Sequence, residues 1–547
     1  MAQFEIKDGV AIIPDGTTEI GNYAFDGCTS LKSIAIPESV KKLDKSAFYG
    51  CTSLESITIP NSVTEIGRSA FNGCTSIKSI TIPESVTEIG ESVFIDCTSL
   101  ESITIPESVT KIGWYAFSDC TSLKSIIIPE SVTEIGEKAF SGCTSLESVT
   151  IPESVTKIGC EAFNGCTSLK SIVVADGNPV YDSREGCNAI IETTTNTLIK
   201  GCKTTVVPES VTEIGYGAFD GCTSLKSITF PESVTIIRWD AFRGCTSLKS
   251  IVVADDNPVY DSREGCNAII ETTTNTLIQG CKTTVIPESI TKIGTRAFEG
   301  CTSLESITIP NSVTKIGWQA FNGCTSLEKV IIPESVTEIK EYAFCGCTSL
   351  GNITIPELVT NIGDSVFYGC TSLESITIPE SVTNIGNYAF YECTSLESIT
   401  IPESVTNIEE GAFCRCTSLE SIIIPESITK IKECAFLDCT SLESITIPES
   451  VTEIGNCAFY RCTSLESVVI PKGVKEIKGC AFAGCTSLTT LTLPIGVNKI
   501  KERVFDECSA LAAINVPAGK VDYYKQRLPE ELHDKIVELA PEKKTKK

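Results

Sequence analysis

The residues best able to do chemistry here are thiols: the 547-residue chain holds 29 cysteines and one histidine, His533. Cysteine binds soft metals as thiolate and pairs as disulfide, so spacing decides which chemistry is open. Nineteen cysteines recur in steps of 23 residues: Cys28 through Cys166, Cys222 and Cys245, and Cys301 through Cys508. If each step is one coil of a stacked chain, neighbouring thiols stand about 4.8 Å apart. That exceeds the ~3.5–4.5 Å between Cβ atoms that a disulfide prefers. An odd number also cannot pair completely. The ladder therefore reads as buried free thiols acting as small hydrophobes, which fits a reducing compartment.

Ten cysteines fall outside the ladder. Cys434, Cys457 and Cys480 share one offset on three successive coils, where they could hold a soft metal, oxidise, or stand as tolerated small residues. Cys187/Cys202 and Cys266/Cys281 are the best disulfide candidates. Catalytic patterns are missing: there is no glycine-rich phosphate loop, no H-E-x-x-H and no G-x-S-x-G elbow. The stretch "DGNPVYDSRE" has spaced acids like part of a calcium loop, but Pro179 and the missing later ligands argue against it. No enzyme activity, cofactor or metal site is expected.

What positions these residues is a repeat, C-T-S-L-x-x-I-x-I-P-x-x-V-x-x-I-G-x-x-A-F-x-x, and the segment "CTSLESITIP" occurs six times letter for letter. Within Leu54–Ile59, Ile57 and Ile59 share a face at period two while Ser56 and Thr58 face the other way, as in a strand buried on one side. Pro60 ends the strand, having no N–H to donate. Val63 and Ile66 enter the core from a second short extended segment, Gly67 permits the turn that follows, and Ala70-Phe71 fit one helical or 3₁₀ turn. A single coil buries about eight side chains, each large one worth roughly 1.5–3 kcal/mol, against about 1–2 kcal/mol of backbone entropy per residue. A lone coil cannot fold. Stacked coils can, as a mainly β solenoid of nineteen coils with a parallel sheet along it.

This pattern resembles the BspA-like class of leucine-rich repeats over roughly residues 17–516, interrupted twice. The resemblance implies a right-handed horseshoe of the kind found in surface-displayed or secreted adhesion proteins that bind host proteins. The opening "MAQFEIKDGVAIIPDG" lacks the basic-then-apolar pattern of a Sec signal. The resemblance points to the cell surface, that absence to the cytoplasm.

The interruptions are near copies, "NPVYDSREGCNAIIETTTNTLIKGCKTTVVP" from Asn178 and "NPVYDSREGCNAIIETTTNTLIQGCKTTVIP" from Asn257. Ala189–Ile191 and Thr197–Ile199 flank a polar stretch and read as a β-hairpin that projects from the solenoid or extends a coil. The expected organisation is a cap over residues 1–27, repeats over 28–172, a hairpin insertion over 173–207, repeats over 208–251, a second insertion over 252–286, repeats over 287–516, and a closing helix with a basic tail over 517–547. Leu532, Ile536, Val537 and Leu539 suit that closing amphipathic helix.

Seventy acids against 44 bases give a net charge of −26, so nucleic acid and anionic membranes would repel the chain, and basic or neutral protein partners suit it. No apolar run reaches the roughly 18–20 residues that span a bilayer. A monomer is expected. Along the early coils the position after the strand leucine alternates as Lys32, Glu55, Lys78, Glu101, Lys124, Glu147 and Lys170. Later it becomes Glu374, Glu397, Glu420, Glu443 and Glu466 on consecutive coils, where like charges about 5 Å apart repel by roughly 0.8 kcal/mol. A second acidic row runs through Glu334, Glu357, Glu380, Glu403, Glu426 and Glu449. Beside the first row lie Ser375, Thr377, Ser398 and Thr400, either a solvated strand face or a hydrogen-bonding platform. Those five glutamates and four hydroxyl residues form the candidate partner-binding set. Trp114, Trp239 and Trp318 lie off this face and are candidate anchors or ordinary exposed aromatics. The expected function is protein–protein interaction or adhesion through an extended repeat surface, presented, as the resemblance implies, to host surface or matrix proteins, with an intracellular scaffold or a structural spacer as alternatives.

Overall fold

In the computed structural model, which describes residues 4–540, the chain is a β-solenoid of two compact units, Met1–Ser262 and Arg263–Lys547. Each coil carries two short strands. The main strand of one coil pairs in parallel with the same residues of the next, as in Ser33↔Ser56, Ile34↔Ile57 and Ala35↔Thr58. The second strand repeats this, as in Lys42↔Glu65 and Leu43↔Ile66. A 23-residue step thus equals one rung, and period-two alternation puts Ile57 inside and Ser56 and Thr58 outside. The third side turns through bonds to the residue three back, as from the Ala47 N–H to Asp44 O and from the Cys51 N–H to Phe48 O.

On that side the phenylalanines stack ring over ring. Phe25–Phe48 and Phe48–Phe71 have centroids 5.2 and 5.3 Å apart with planes within 6° and 1° of parallel. In the second unit the column runs from Phe298 to Phe505. The cysteines sit behind it and are more than filler. Cys51 Sγ donates to Phe25 O at 3.1 Å and Cys74 Sγ to Phe48 O at 3.1 Å, and the pattern repeats along both units. From Cys51 onward the recurring cysteine column thus stitches rungs to their predecessors by thiol hydrogen bonds.

Gly67 serves closeness, where the sequence implied turning freedom. A Cβ there would lie 2.6 Å from the Asp44 carbonyl carbon on the preceding rung, and the left-handed backbone that makes the turn belongs to Ser69, at φ 56°.

The first insertion lies in the second ladder. Tyr181–Asp182, Ala189–Glu192 and Thr197–Gly201 form an antiparallel meander, and Thr197 then pairs in parallel with Glu213 of the next regular coil. Ala189, Ile190, Ile191 and Leu198 are fully buried. In the second unit Ile269–Glu271 and Thr276–Gln279 repeat the hairpin and Thr276 pairs with Lys292. With these segments the described residues make about 23 turns rather than the nineteen marked by ladder cysteines.

The ends are closed differently. At the start, Ile6–Lys7 and Val10–Ala11 pair antiparallel, Val10 joins Ser33, and Phe4 stacks on Phe25. At the other end the amphipathic helix expected through Leu539 does not form. A short helix Val521–Lys525 and a 3₁₀ segment Glu530–Lys535 lead into a strand, Ile536–Glu538, paired in parallel with Ala513–Val516. The last rung offers unpaired backbone groups, and the β-branched Ile536-Val537 satisfy them better as a strand than as a helix. Tyr524 is buried and fills the open core end. The basic KKTKK tail lies outside the described residues.

Candidate functional site

In the second unit the main strands from Ser306–Thr308 to Ile536–Glu538 form one sheet of eleven strands. Its outward surface is built by alternation: on the strands from Ser306–Thr308 to Ser467–Val469 the central residue is buried and both neighbours are exposed, as in Ser375–Thr377 and Ser398–Thr400. Just before these strands stand Glu374, Glu397, Glu420, Glu443 and Glu466, all exposed. Their spacing is fixed by the backbone, because Glu420 N–H donates to Glu397 O at 3.1 Å, Glu443 to Glu420 O at 3.2 Å and Glu466 to Glu443 O at 3.2 Å. The structure thus aligns all five glutamates with Ser375, Thr377, Ser398 and Thr400 on one surface.

None of the five glutamates enters an ion pair among the described residues. The first unit contrasts with this: Lys124 pairs with Glu101 and Lys170 with Glu147, each at 3.0 Å across one rung. In the first unit a lysine follows a glutamate across these rungs, whereas Glu374 through Glu466 stand on five consecutive rungs with no cation among them.

The second acidic row behaves otherwise. Glu334 accepts from the Glu357 N–H at 3.1 Å, Glu403 from the Glu426 N–H at 3.2 Å, and Glu449 from the Lys472 N–H at 3.2 Å. These carboxylates cap the next rung, so they serve the fold. Sequence spacing could not separate the two rows, since both repeat every 23 residues. Only the direction of the neighbouring N–H groups does so.

Apolar side chains interrupt the threonine column of the same face. Ile423 is 70% exposed and Val469 64%. Where the charged row reaches Gly351, a groove of about 670 Å³ opens, lined among others by Glu328, Ile331, Asn352, Ser375 and Thr377. Ser375 Oγ is held by Asn352 Oδ1 at 2.8 Å, and a Cβ on Gly351 would meet nothing within 4 Å. Sequence reading passed over Gly351 because a single missing side chain carries no motif.

Other candidates stand apart from this face. Trp114 and Trp239 are exposed on the turn side. Cys434, Cys457 and Cys480 lie on three bonded rungs, half-buried, with burial raising the Cys434 thiol to about 12. They form no group able to hold a metal, and no such group of three or more His, Cys, Asp or Glu occurs among the described residues. Cys187 and Cys202 are free thiols that donate to Ala189 O and Asn188 O. No helix among the described residues is long and apolar enough to cross a membrane.

Parallel rungs with one solvent-facing sheet and a buried Leu-Ile-Val-Phe interior define a leucine-rich-repeat protein. More narrowly, the chain belongs to the BspA type leucine rich repeat family, whose profile matches residues 10–121, 87–184, 191–266, 276–397 and 383–512. Among solved structures it is similar to a leucine rich cell surface protein from Faecalibacterium prausnitzii A2-165, with 31% identity over 70% of this chain and 82% of that one and a TM-score of 0.40. It is also similar to leucine-rich repeat proteins from Bacteroides ovatus (24% identity, 97% of this chain and 94% of that one, TM-score 0.30) and Eubacterium ventriosum (22%, 75% and 83%, 0.37). No curated protein matches it. Proteins of this fold and family are typically non-enzymatic and bind other proteins.

Proposed function

We propose that this chain is an adhesion protein that binds host surface or matrix proteins through the outward sheet face of its second unit. The observation that carries the reading is the unpaired row Glu374–Glu466 beside exposed Ile423 and Val469 on one rigid sheet. Carboxylates left without cations on a pre-ordered surface attract a basic partner at long range, and exposed isoleucine and valine supply area to bury on contact. Rungs that are already fixed lose little further entropy on binding, so many weak contacts add. Ser375, Thr377, Ser398 and Thr400 supply hydrogen bonds between the two.

The test is surface plasmon resonance of the intact chain over a panel of immobilised extracellular-matrix proteins, repeated with E397K/E420K/E443K. The expected result is saturable binding to at least one of them, with reversal weakening it by about tenfold or more and flattening its salt dependence. Binding of equal strength and equal salt dependence in the variant removes this face from the site.

A further inference from the structure

The two insertions do more than lengthen the ladder. In the first unit the turn Glu185–Cys187 and the segment Val206–Glu209 face each other across a cleft of about 170 Å³, lined by Glu185, Cys187, Val206, Val207, Pro208 and Glu209. That is room for one long side chain and too little for a folded element. Its apolar wall is presented to solvent: Val206 is 71% exposed. Its rim carries two exposed carboxylates, Glu185 and Glu209. The ion pairs nearby are Arg184–Asp182, Arg238–Glu213 and Arg243–Asp220, which leave Glu185 and Glu209 outside any pair among the described residues.

The walls are tied together. Val206 N–H donates to Cys187 O at 3.1 Å and Thr205 Oγ1 donates to Asn188 O at 2.7 Å. Arg184, next to Glu185, donates from Nη1 to Ser210 Oγ, next to Glu209, at 3.0 Å. The guanidinium therefore ties the segment that carries Glu185 to the one that carries Glu209, while its own charge is met by Asp182 at 2.7 Å.

The second unit repeats the same device. Val285 is 72% exposed, its N–H donates to Cys266 O at 3.1 Å, Thr284 Oγ1 donates to Asn267 O at 2.7 Å, and Arg263 Nη1 donates to Ser289 Oγ at 3.2 Å. Glu264 and Glu288 stand exposed at the positions of Glu185 and Glu209.

We propose that each insertion cleft receives a lysine or arginine side chain of a protein partner, giving the chain two equivalent basic-residue sites, one in each unit. The fit is chemical. A long basic side chain lays its methylene stem on Val206 and Pro208 and brings its cationic head between Glu185 and Glu209. A neutral apolar side chain leaves the carboxylates unmet, and an acidic one is repelled. This proposal stands independently of the glutamate row, since it uses none of the same residues.

The test is isothermal titration of the full chain with a blocked peptide of four Gly-Leu-Lys units, at physiological salt and with reductant. Wild type is compared with E185Q/E209Q, E264Q/E288Q, the four substitutions combined, and E397K/E420K/E443K. All substituted positions are exposed, and far-UV dichroism melts confirm unaltered folding. The expected result is that each cleft pair removes one equivalent of bound peptide and the combined variant removes two, while the row variant keeps both. No binding to wild type, an unchanged number of equivalents in the combined variant, or loss of both equivalents on row reversal alone overturns the proposal.

Discussion

Phe390→Ala is expected to destabilise the second unit by about 3–5 kcal/mol, read as a lowered midpoint in urea at unchanged neutral pH. Phe390 is fully buried and stacked between Phe367 at 5.4 Å and Phe413 at 5.3 Å, with planes 14° and 3° from parallel. Truncation removes both ring contacts and leaves a void that neighbouring rungs cannot close, because their spacing is set by the sheets on the other two sides. The same residue's backbone also joins its rung to the next: its N–H donates to Ala412 O at 2.8 Å, and its carbonyl accepts Cys416 Sγ at 3.1 Å besides the Cys393 N–H of its own turn at 3.2 Å. The loss is expected to stay local, because in a stack each rung touches only its neighbours. Hydrogen exchange should accelerate over residues 367–416 and hardly at all in the first unit. Uniform acceleration through both units would show that the rungs do not behave as separable layers.

The solenoid itself is written in the sequence with unusual redundancy, since a 23-residue period, Ile57 and Ile59 at period two and a proline stop each demand the same rung. Two further features were readable in type but not in role. Cys51 is a small apolar residue by composition, yet its hydrogen bond to Phe25 O depends on where the preceding rung puts a carbonyl. Gly67 looks like a turn glycine, whereas the structure needs it for the 2.6 Å approach of the Asp44 backbone. Both are facts of distance between rungs, and spacing along one chain does not contain them. The glutamate row was legible as a row because a repeat makes columns visible. Its distinction from the row of Glu334 and Glu403 was not, since hydrogen-bond direction separates them. The cleft beside Val206 and the matching bonds beside Val285 were hidden for a related reason: their walls come from segments about twenty residues apart, joined by Arg184 and Arg263.

The thiol ladder makes the fold sensitive to alkali, and the expected effect is larger than that of any single substitution. Burial pushes the Cys97 thiol up to about 12, as it does Cys51, and holds Cys347, Cys393, Cys416, Cys439 and Cys462 well above the ordinary thiol value. The unfolded chain releases these protons near pH ~8.5. Between that pH and the folded value the unfolded state binds fewer protons than the folded one, so stability falls as pH rises, by about 1.4 kcal/mol per thiol per pH unit. Below the unfolded value the stabilisation is fully present. Ten ladder cysteines, Cys301 through Cys508, lie in the second unit. One pH unit above ~8.5 they withdraw roughly 14 kcal/mol together, as much as a typical domain possesses. In the presence of reductant the second unit should therefore unfold steeply near pH ~9.5, well before most lysines titrate. C347A/C370A/C393A/C416A lacks four of the ten ladder thiols, while burial also holds Cys345, Cys414, Cys434 and Cys457 of the same unit above the ordinary value. It should be less stable at pH 7, because each alanine leaves a void and a phenylalanine carbonyl without its thiol donor, but its stability should decline with pH only about seven-tenths as steeply. Far-UV dichroism in urea at half-unit steps from pH 7 to 10.5 measures both slopes, and a wild-type stability that stays level across that range would mean that the ladder thiols ionise without the rungs having to part.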